Sequence, residues 1–208
     1  MTDVDHDVDR DAACHELLLR LAGRLPDRQL WRLRDWLAGG AVDALARALP
    51  LTLLRERVAI TARESMLLNA ALLDAGADAG RLHAVPWVDQ IDEVDYTFTS
   101  ESPERVNAGD SEAVVLGAVL HGRRELVDVR GSWRRHRSGV GPATRIVLVT
   151  ASTGCARLTG ELQRVLRALG THEPGVEVMP EGIDLPPYHR AALAASEPLL
   201  PGVIVHQG

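Results

Sequence analysis

The loop that runs from Thr150 to Arg157 contains the side chains best suited to holding an anion. Thr150, Ser152 and Thr153 supply hydroxyls, Gly154 permits a close approach, and Arg157 adds a positive charge one turn into the following helix. A loop that leads into a helix N-terminus also exposes unpaired backbone N–H groups. The loop could therefore hold a phosphate or carboxylate, and it is the candidate ligand site. The preferred interpretation is the simpler one, that these residues only cap the helix.

Known nucleotide-binding patterns are missing from this loop. It has neither the G-x-x-x-x-G-K-[ST] spacing of a P-loop nor the G-x-G-x-x-G spacing of a dinucleotide fold. A nucleotide ligand would therefore be inferred from fold analogy alone, which is weak support.

A second group of candidate residues follows the next predicted strand. Glu181, Asp184 and His189 could form an acid–base group or bind a hard metal ion. Their spacing matches no metal-ligand motif, so no metal site is predicted. The alternative is turn chemistry at Glu181 and a helix lead-in at Asp184.

No complete catalytic motif occurs in the sequence. Cys155 is predicted to begin a helix, where a thiol pKa can fall, but a cysteine phosphatase would have Arg where Glu161 stands. A small buried thiol is the preferred interpretation. The sequence also has no G-x-S-x-G elbow and no H-E-x-x-H pair. We therefore expect a protein that is not an enzyme and needs no cofactor.

One cluster of basic residues is the candidate surface for a partner. The segment from Arg124 to Arg137 is predicted to be a helix. If the helix includes the residue before it, four arginines lie near one face: Arg123, Arg130, Arg134 and Arg137. This face could meet an acidic protein, RNA or the acidic N-terminal tail of the chain itself, or it could simply be solvated. A net charge of −6 makes nucleic acid the least favoured partner. A protein partner or a homo-oligomer is expected instead.

Composition indicates a globular protein with an aliphatic core. The chain has 208 residues, of which 46% are hydrophobic and only 3% aromatic. All 23 basic residues are Arg, which is typical of a high-GC genome and indicates a bacterial source. The acidic N-terminus does not resemble a signal peptide, and no apolar run reaches the length of about 18 residues that a membrane helix needs. A cytoplasmic protein without membrane contact is expected.

The N-terminal part is predicted to be helical. Residues 1–10 are expected to be a disordered acidic tail, and residues 11–88 a bundle of five or six short helices. Pro50 is expected to end the third helix. Thr61 and Glu64 have the spacing of a capping box at the start of a later helix.

Residues 94–208 are predicted to form a small α/β domain. A short strand is expected at residues 96–100, and after it strands and helices alternate: strand 113–120, helix 124–137, strand 146–149, helix 156–169, strand 175–179 and a helix from Pro186. A helix is the competing prediction for 113–120, and residues 203–205 could add an edge strand. Such alternation is typical of a mostly parallel, Rossmann-like sheet with flanking helices.

In an open parallel sheet, ligands bind beyond the C-terminal ends of the strands. The three loops at residues 120–124, 150–154 and 180–184 are therefore expected to be neighbours. With no catalytic motif, the sequence favours an interaction or regulatory protein, adaptor-like, that acts through both domains. The alternative is an α/β enzyme or sensor that binds a phosphorylated or nucleotide ligand at the loop from Thr150 to Arg157.

Overall fold

The computed structural model describes residues 3–91, 94–101 and 111–199, and of residues 3–8 only the backbone. The chain divides into two compact units, Met1–Glu93 and Val94–Gly208. The first is called the helical unit below, and the second the α/β unit. The possible edge strand at 203–205 lies outside the described residues.

Five helices make up the described part of the helical unit: α1 Asp3–Arg20, α2 Asp27–Ala38, α3 Val42–Glu56, α4 Ala62–Leu72 and α5 Ala79–Ala84. The helix α1 begins at Asp3, so residues 3–10, which the composition predicts to be a disordered tail, are helical. Leucines such as Leu17, Leu45 and Leu68 fill the interior. No helix of the described residues has the length and apolar character needed to cross a membrane.

The capping box at the start of α4 is confirmed. The Glu64 backbone N–H donates to the Thr61 hydroxyl, and a Glu64 carboxylate oxygen accepts from the Thr61 backbone N–H at 2.9 Å. The other carboxylate oxygen of Glu64 accepts from Arg24 at 2.6 Å. Arg24 also donates to the Ala59 carbonyl at 3.0 Å, so this network ties α4 to the end of α1 and to the preceding loop.

Pro50 does not end the third helix, contrary to the prediction. The helix α3 continues through it to Glu56, and Pro50 itself is buried. Leu45, Leu49 and Leu53 are all fully buried and keep one helical face across the proline. Burial of this continuous stripe outweighs the missing N–H of proline, which costs about 3 kcal/mol in a helix interior.

The α/β unit contains a mixed five-stranded sheet in its described residues, flanked by helices. Its elements are β1 Tyr96–Thr99, α6 Ser111–Leu120, β2 Leu126–His136, β3 Thr144–Ala151, α7 Cys155–Ala168, β4 Gly175–Pro180, α8 Pro187–Ala194 and β5 Glu197–Pro198. The strand order is β1-β2-β3-β4, and β5 pairs with β2, as β1 does. Only β3 and β4 are parallel; the other pairings are antiparallel.

The prediction of a mostly parallel, Rossmann-like sheet is therefore wrong, because two elements are exchanged. The predicted strand 113–120 is the helix α6, and the predicted helix 124–137 is the strand β2. Every residue from Ala113 to Leu120 is apolar, so this segment has no period that separates a helix from a strand. The central strand β2 is covered on both faces and buries Ser132 and Arg134 beside apolar residues, which hides its alternation.

The two faces of the sheet have separate cores. On one side α6 and α7 cover Val147, Val149, Val176 and Val178 with leucines such as Leu162. On the other side, Ile146, Leu148 and Met179 pack with Ala192 of α8. The strands start close together at Gly175, where an added Cβ would lie 2.6 Å from Ile146 Cδ1 and 2.9 Å from the Arg145 carbonyl oxygen. Only glycine fits this position without displacement of β3.

Candidate functional site

The three loops expected to be neighbours do meet at one edge of the sheet, but not because three parallel strands end there. Leu126 at the start of β2 and Pro180 at the end of β4 both pair with Ala151, the last residue of β3. The Ser152 N–H donates to the Glu125 carbonyl at 2.8 Å, and the Glu181 N–H donates to the Ala151 carbonyl at 3.1 Å. The first loop thus precedes an antiparallel strand and still reaches the same edge.

The start of α7 is open at this edge. Gly154 is the N-cap residue in a left-handed conformation with φ of 68°, and no side chain caps the helix. Ser152 and Thr153 are exposed, and the Ser152 hydroxyl donates to the Glu125 carbonyl at 3.4 Å. The hydroxyls therefore do not cap the helix, and the preferred interpretation of this loop is wrong. Thr150 is half-buried at the end of β3.

Arg157 lies beside the open helix start. A Cβ added to Gly154 would be 3.7 Å from Arg157 Nη2, so the exposed arginine side chain folds back toward the N-cap. Arg123, on the neighbouring loop, forms ion pairs with Glu161 and, at 3.6 Å, with Glu125. The positive charge of Arg123 is thus offset locally, whereas that of Arg157 is directed at the helix end.

The second predicted group does not come together. His189 is fully buried, and its Nε2 lies 2.8 Å from the Glu177 carboxylate, which is also buried. Asp184 is exposed and lies 3.9 Å from the Arg190 guanidinium, and Glu181 is exposed in the turn after β4. The sequence pattern did not indicate the pairing of His189 with Glu177, because Glu177 lies inside an otherwise apolar strand. The alternation of Val176, Glu177 and Val178 was the signal that could have found it.

The predicted arginine surface does not exist as a helix face. Arg130 and Arg134 lie on β2, Arg123 precedes the strand, and Arg137 follows it. Arg130 Nε donates to the Ser196 hydroxyl at 2.7 Å.

Arg134 is buried instead of being presented to a partner. Its Nη1 donates to the Tyr188 hydroxyl at 3.1 Å, and its guanidinium carbon lies 4.5 Å from the centre of the Tyr96 ring. The guanidinium is therefore held between an aromatic ring and a hydroxyl. The sequence pattern did not indicate this arrangement.

Cys155 has the environment of an inert thiol. Its side chain is buried in the α6/α7 core, and burial raises its pKa although its backbone hydrogen bond acts in the opposite direction. Its Sγ lies 3.7 Å from the Ala151 carbonyl oxygen. The thiolate needed for a nucleophile is therefore disfavoured in spite of the helix N-terminus.

No protein-family model, curated protein or solved structure was found to match the chain. Among residues 3–91, 94–101 and 111–199, no three His, Cys, Asp or Glu side chains are grouped in a way that could hold a metal ion. The contacts, burial and charges of the described side chains are therefore what supports a functional proposal.

Proposed function

We propose that this protein is a non-catalytic interaction protein, and that its helical unit docks a helix of a protein partner on the outer face of α4. One observation supports this proposal most directly: an exposed apolar stripe along α4. The stripe consists of Ala62, Met66, Ala70 and Leu73, all exposed. Met66 is 66% exposed and Leu73 is 43% exposed.

The stripe is separate from the face that holds α4 in the unit. The buried residues of α4 are Glu64, Leu68, Ala71 and Leu72. At about 100° per residue, the centre of the exposed stripe is roughly opposite the centre of the buried face. Single exposed apolar residues are ordinary, but four in one row are typical of a contact surface.

The spacing of the stripe suits a helical partner. Apolar residues at i, i+4, i+8 and i+11 follow one side of a helix over nearly three turns, as in helix–helix recognition. Two of the four residues are alanines, which permit a close approach of a partner backbone. Met66 supplies a flexible side chain that adapts to an apolar surface.

A photo-crosslinking amino acid at Met66 tests this proposal, with the same amino acid at exposed Arg28 of α2 as the matched control. We expect a discrete adduct at Met66 that is absent at Arg28 and that mass spectrometry assigns to a helix of one protein. That protein, once purified, should bind the full chain, and Met66→Glu should weaken the binding at least tenfold. Identical adducts at both positions, or unchanged binding by Met66→Glu, would overturn the proposal.

A second candidate function rests on the open start of α7. We propose that a phosphate-bearing ligand binds there, because Arg157 folds toward an N-cap that no side chain occupies. The unpaired N–H groups and the partial positive charge of a helix N-terminus favour an anion. Such a protein would act as a sensor, with the helical unit transmitting the signal to a partner.

Thermal unfolding with a panel of inorganic phosphate and nucleotides tests this second function. At a concentration a hundredfold above the dissociation constant, a ligand stabilises by about 2.7 kcal/mol, which is readily measured. Arg157→Ala should remove the shift, whereas Arg164→Ala, two turns further along α7, should retain it. If no panel member shifts the transition, the α7 start has no such function.

A further inference from the structure

The tyrosines and the phenylalanine of the chain lie in one place on the α/β unit. The chain has two tyrosines and one phenylalanine, and all three lie together: Tyr96, Phe98 and Tyr188. The ring centres of Phe98 and Tyr188 are 5.2 Å apart and those of Tyr96 and Tyr188 are 6.1 Å apart, both edge to face. Three of the seven aromatic residues of the chain are thus grouped here, and the other four are tryptophans.

The buried Arg134 belongs to this cluster. It is 6% exposed and is fixed between the Tyr188 hydroxyl and the face of Tyr96. His136 stands two residues along β2 on the same side of the sheet, with its ring centre 5.4 Å from that of Tyr96. A guanidinium held by packing interacts more strongly with an anion than a mobile, hydrated one.

A groove opens over these residues at the end of the sheet where β2 ends and β3 begins. Its volume is about 450 Å³, within the range of small-molecule sites. Arg134 and His136 line it, the hydroxyls of Ser138 and Thr144 add donors, and Val140 forms an apolar rim. None of the described residues that line it is acidic. The groove is therefore a concave, basic and partly aromatic surface.

We propose that this groove binds a small organic carboxylate with a planar apolar body. The guanidinium and the hydroxyls match the carboxylate, and the Tyr96 ring with Val140 matches the apolar body. The site is distinct from the α7 start, because Thr144 and Ala151 are the two ends of β3, roughly 23 Å apart. Binding here and binding at Arg157 are therefore separable by mutation.

Titration of the full chain with benzoate, followed by two-dimensional ¹H–¹⁵N NMR, tests the proposal. We expect saturable shifts at Tyr96, His136 and Thr144, and at least tenfold weaker binding of uncharged benzamide. Arg134→Gln should weaken benzoate binding about tenfold or more, the range for loss of a charged hydrogen bond. Arg135→Gln is the matched control, since Arg135 is exposed on the opposite face of β2 and should change the affinity less than twofold.

A second pair of variants covers the case in which Arg134→Gln does not fold. Val140 is 77% exposed, so Val140→Asp should fold normally while its carboxylate repels the ligand. We expect Val140→Asn to weaken benzoate binding slightly through loss of the apolar contact, and Val140→Asp to weaken it several-fold further through its charge. Shifts that do not saturate, equal binding of benzamide, or equal affinity of the Asp and Asn variants would overturn the proposal. Retention of benzoate binding in Arg157→Ala is expected, and its loss there would move the site to the start of α7.

Discussion

The two faces of the sheet in the α/β unit differ in what they bury. Toward α7 the described buried polar side chains are neutral, Thr159 and Gln163, and the rest of that core is almost entirely aliphatic. Toward α8 the sheet buries Arg134 and the pair Glu177–His189 beside the aromatic cluster. Among the described residues of this unit, only the α8 side of the sheet buries Arg, Glu and His side chains.

This difference indicates separate roles for the two faces. An aliphatic core stabilises the unit in proportion to the apolar area that it buries. Buried ionisable groups stabilise little, because the desolvation penalty offsets their mutual attraction. We therefore expect the α7 face to contribute more to the stability of the unit than the buried ionisable groups of the α8 face do. The α8 face holds groups that a fold of this size does not need for stability, and the proposed ligand groove lies on that side.

The largest expected effect comes from separating the buried pair. Glu177→Leu leaves His189 fully buried without its carboxylate partner. The expected loss is about 3 to 5 kcal/mol in the free energy of unfolding, the range for breaking a buried pair. Hydrogen exchange of the β3 backbone amides measures this loss in the α/β unit alone.

The double variant Glu177→Leu/His189→Leu decides what the loss means. If the pair contributes little stability, the double variant should regain most of what the single variant loses, since neither polar partner stays buried without the other. A double variant as unstable as Glu177→Leu would show that the pair stabilises the fold. The contrast between the two faces would then not hold.

A smaller loss is expected on the aliphatic face. Leu162 of α7 is fully buried in that core, and Leu162→Ala should lower the free energy of unfolding by about 3 kcal/mol through the cavity it leaves. Leu169→Ala is the control, because Leu169 is 42% exposed just beyond the same helix and should cost about 0.5 kcal/mol or less. In contrast to the pair Glu177–His189, Leu162 has no single partner whose replacement should restore the lost stability. A loss below about 1 kcal/mol would contradict the assignment of folding stability to this face.

The sequence predicts β3, α7 and β4 better than it predicts α6 and β2, for a physical reason. The run Ile146–Val149, the 3.6-residue period of α7 and the strand β4 are local signals, and the structure has all three elements. The assignments fail at α6, which is apolar all round, and at β2, which buries Ser132 and Arg134. A buried polar residue cancels the alternation by which a strand is recognised.

The side-chain pairs that the sequence did not predict join residues that are distant in the chain. The start of α7 could be located because a strand, a loop and a helix follow each other in the chain. The pairs Glu177–His189 and Arg134–Tyr188 join residues 12 and 54 positions apart. Neither spacing is a motif, so only the packing of α8 on the sheet shows them. The four arginines were grouped by a helical period that β2 does not have.

The smallest expected effect concerns Cys155, an ionisable group on the aliphatic face. Because burial raises its pKa, the thiol is predominantly protonated at neutral pH and reacts more slowly than an exposed thiol. Cys155→Ala removes one buried sulfur, and we expect a loss of about 1 kcal/mol. The other cysteine of the chain is Cys14, whose pKa burial raises to about 12. A Cys14→Ser variant removes this second thiol, so that any labelling reports on Cys155 alone. A thiol reagent added to folded Cys14→Ser should react only slowly at pH 7 and faster as the pH rises, and denaturant should release the full reaction. Rapid labelling of the folded protein at pH 7 would instead place a reactive thiolate on this face, and the two faces would then both hold functional chemistry.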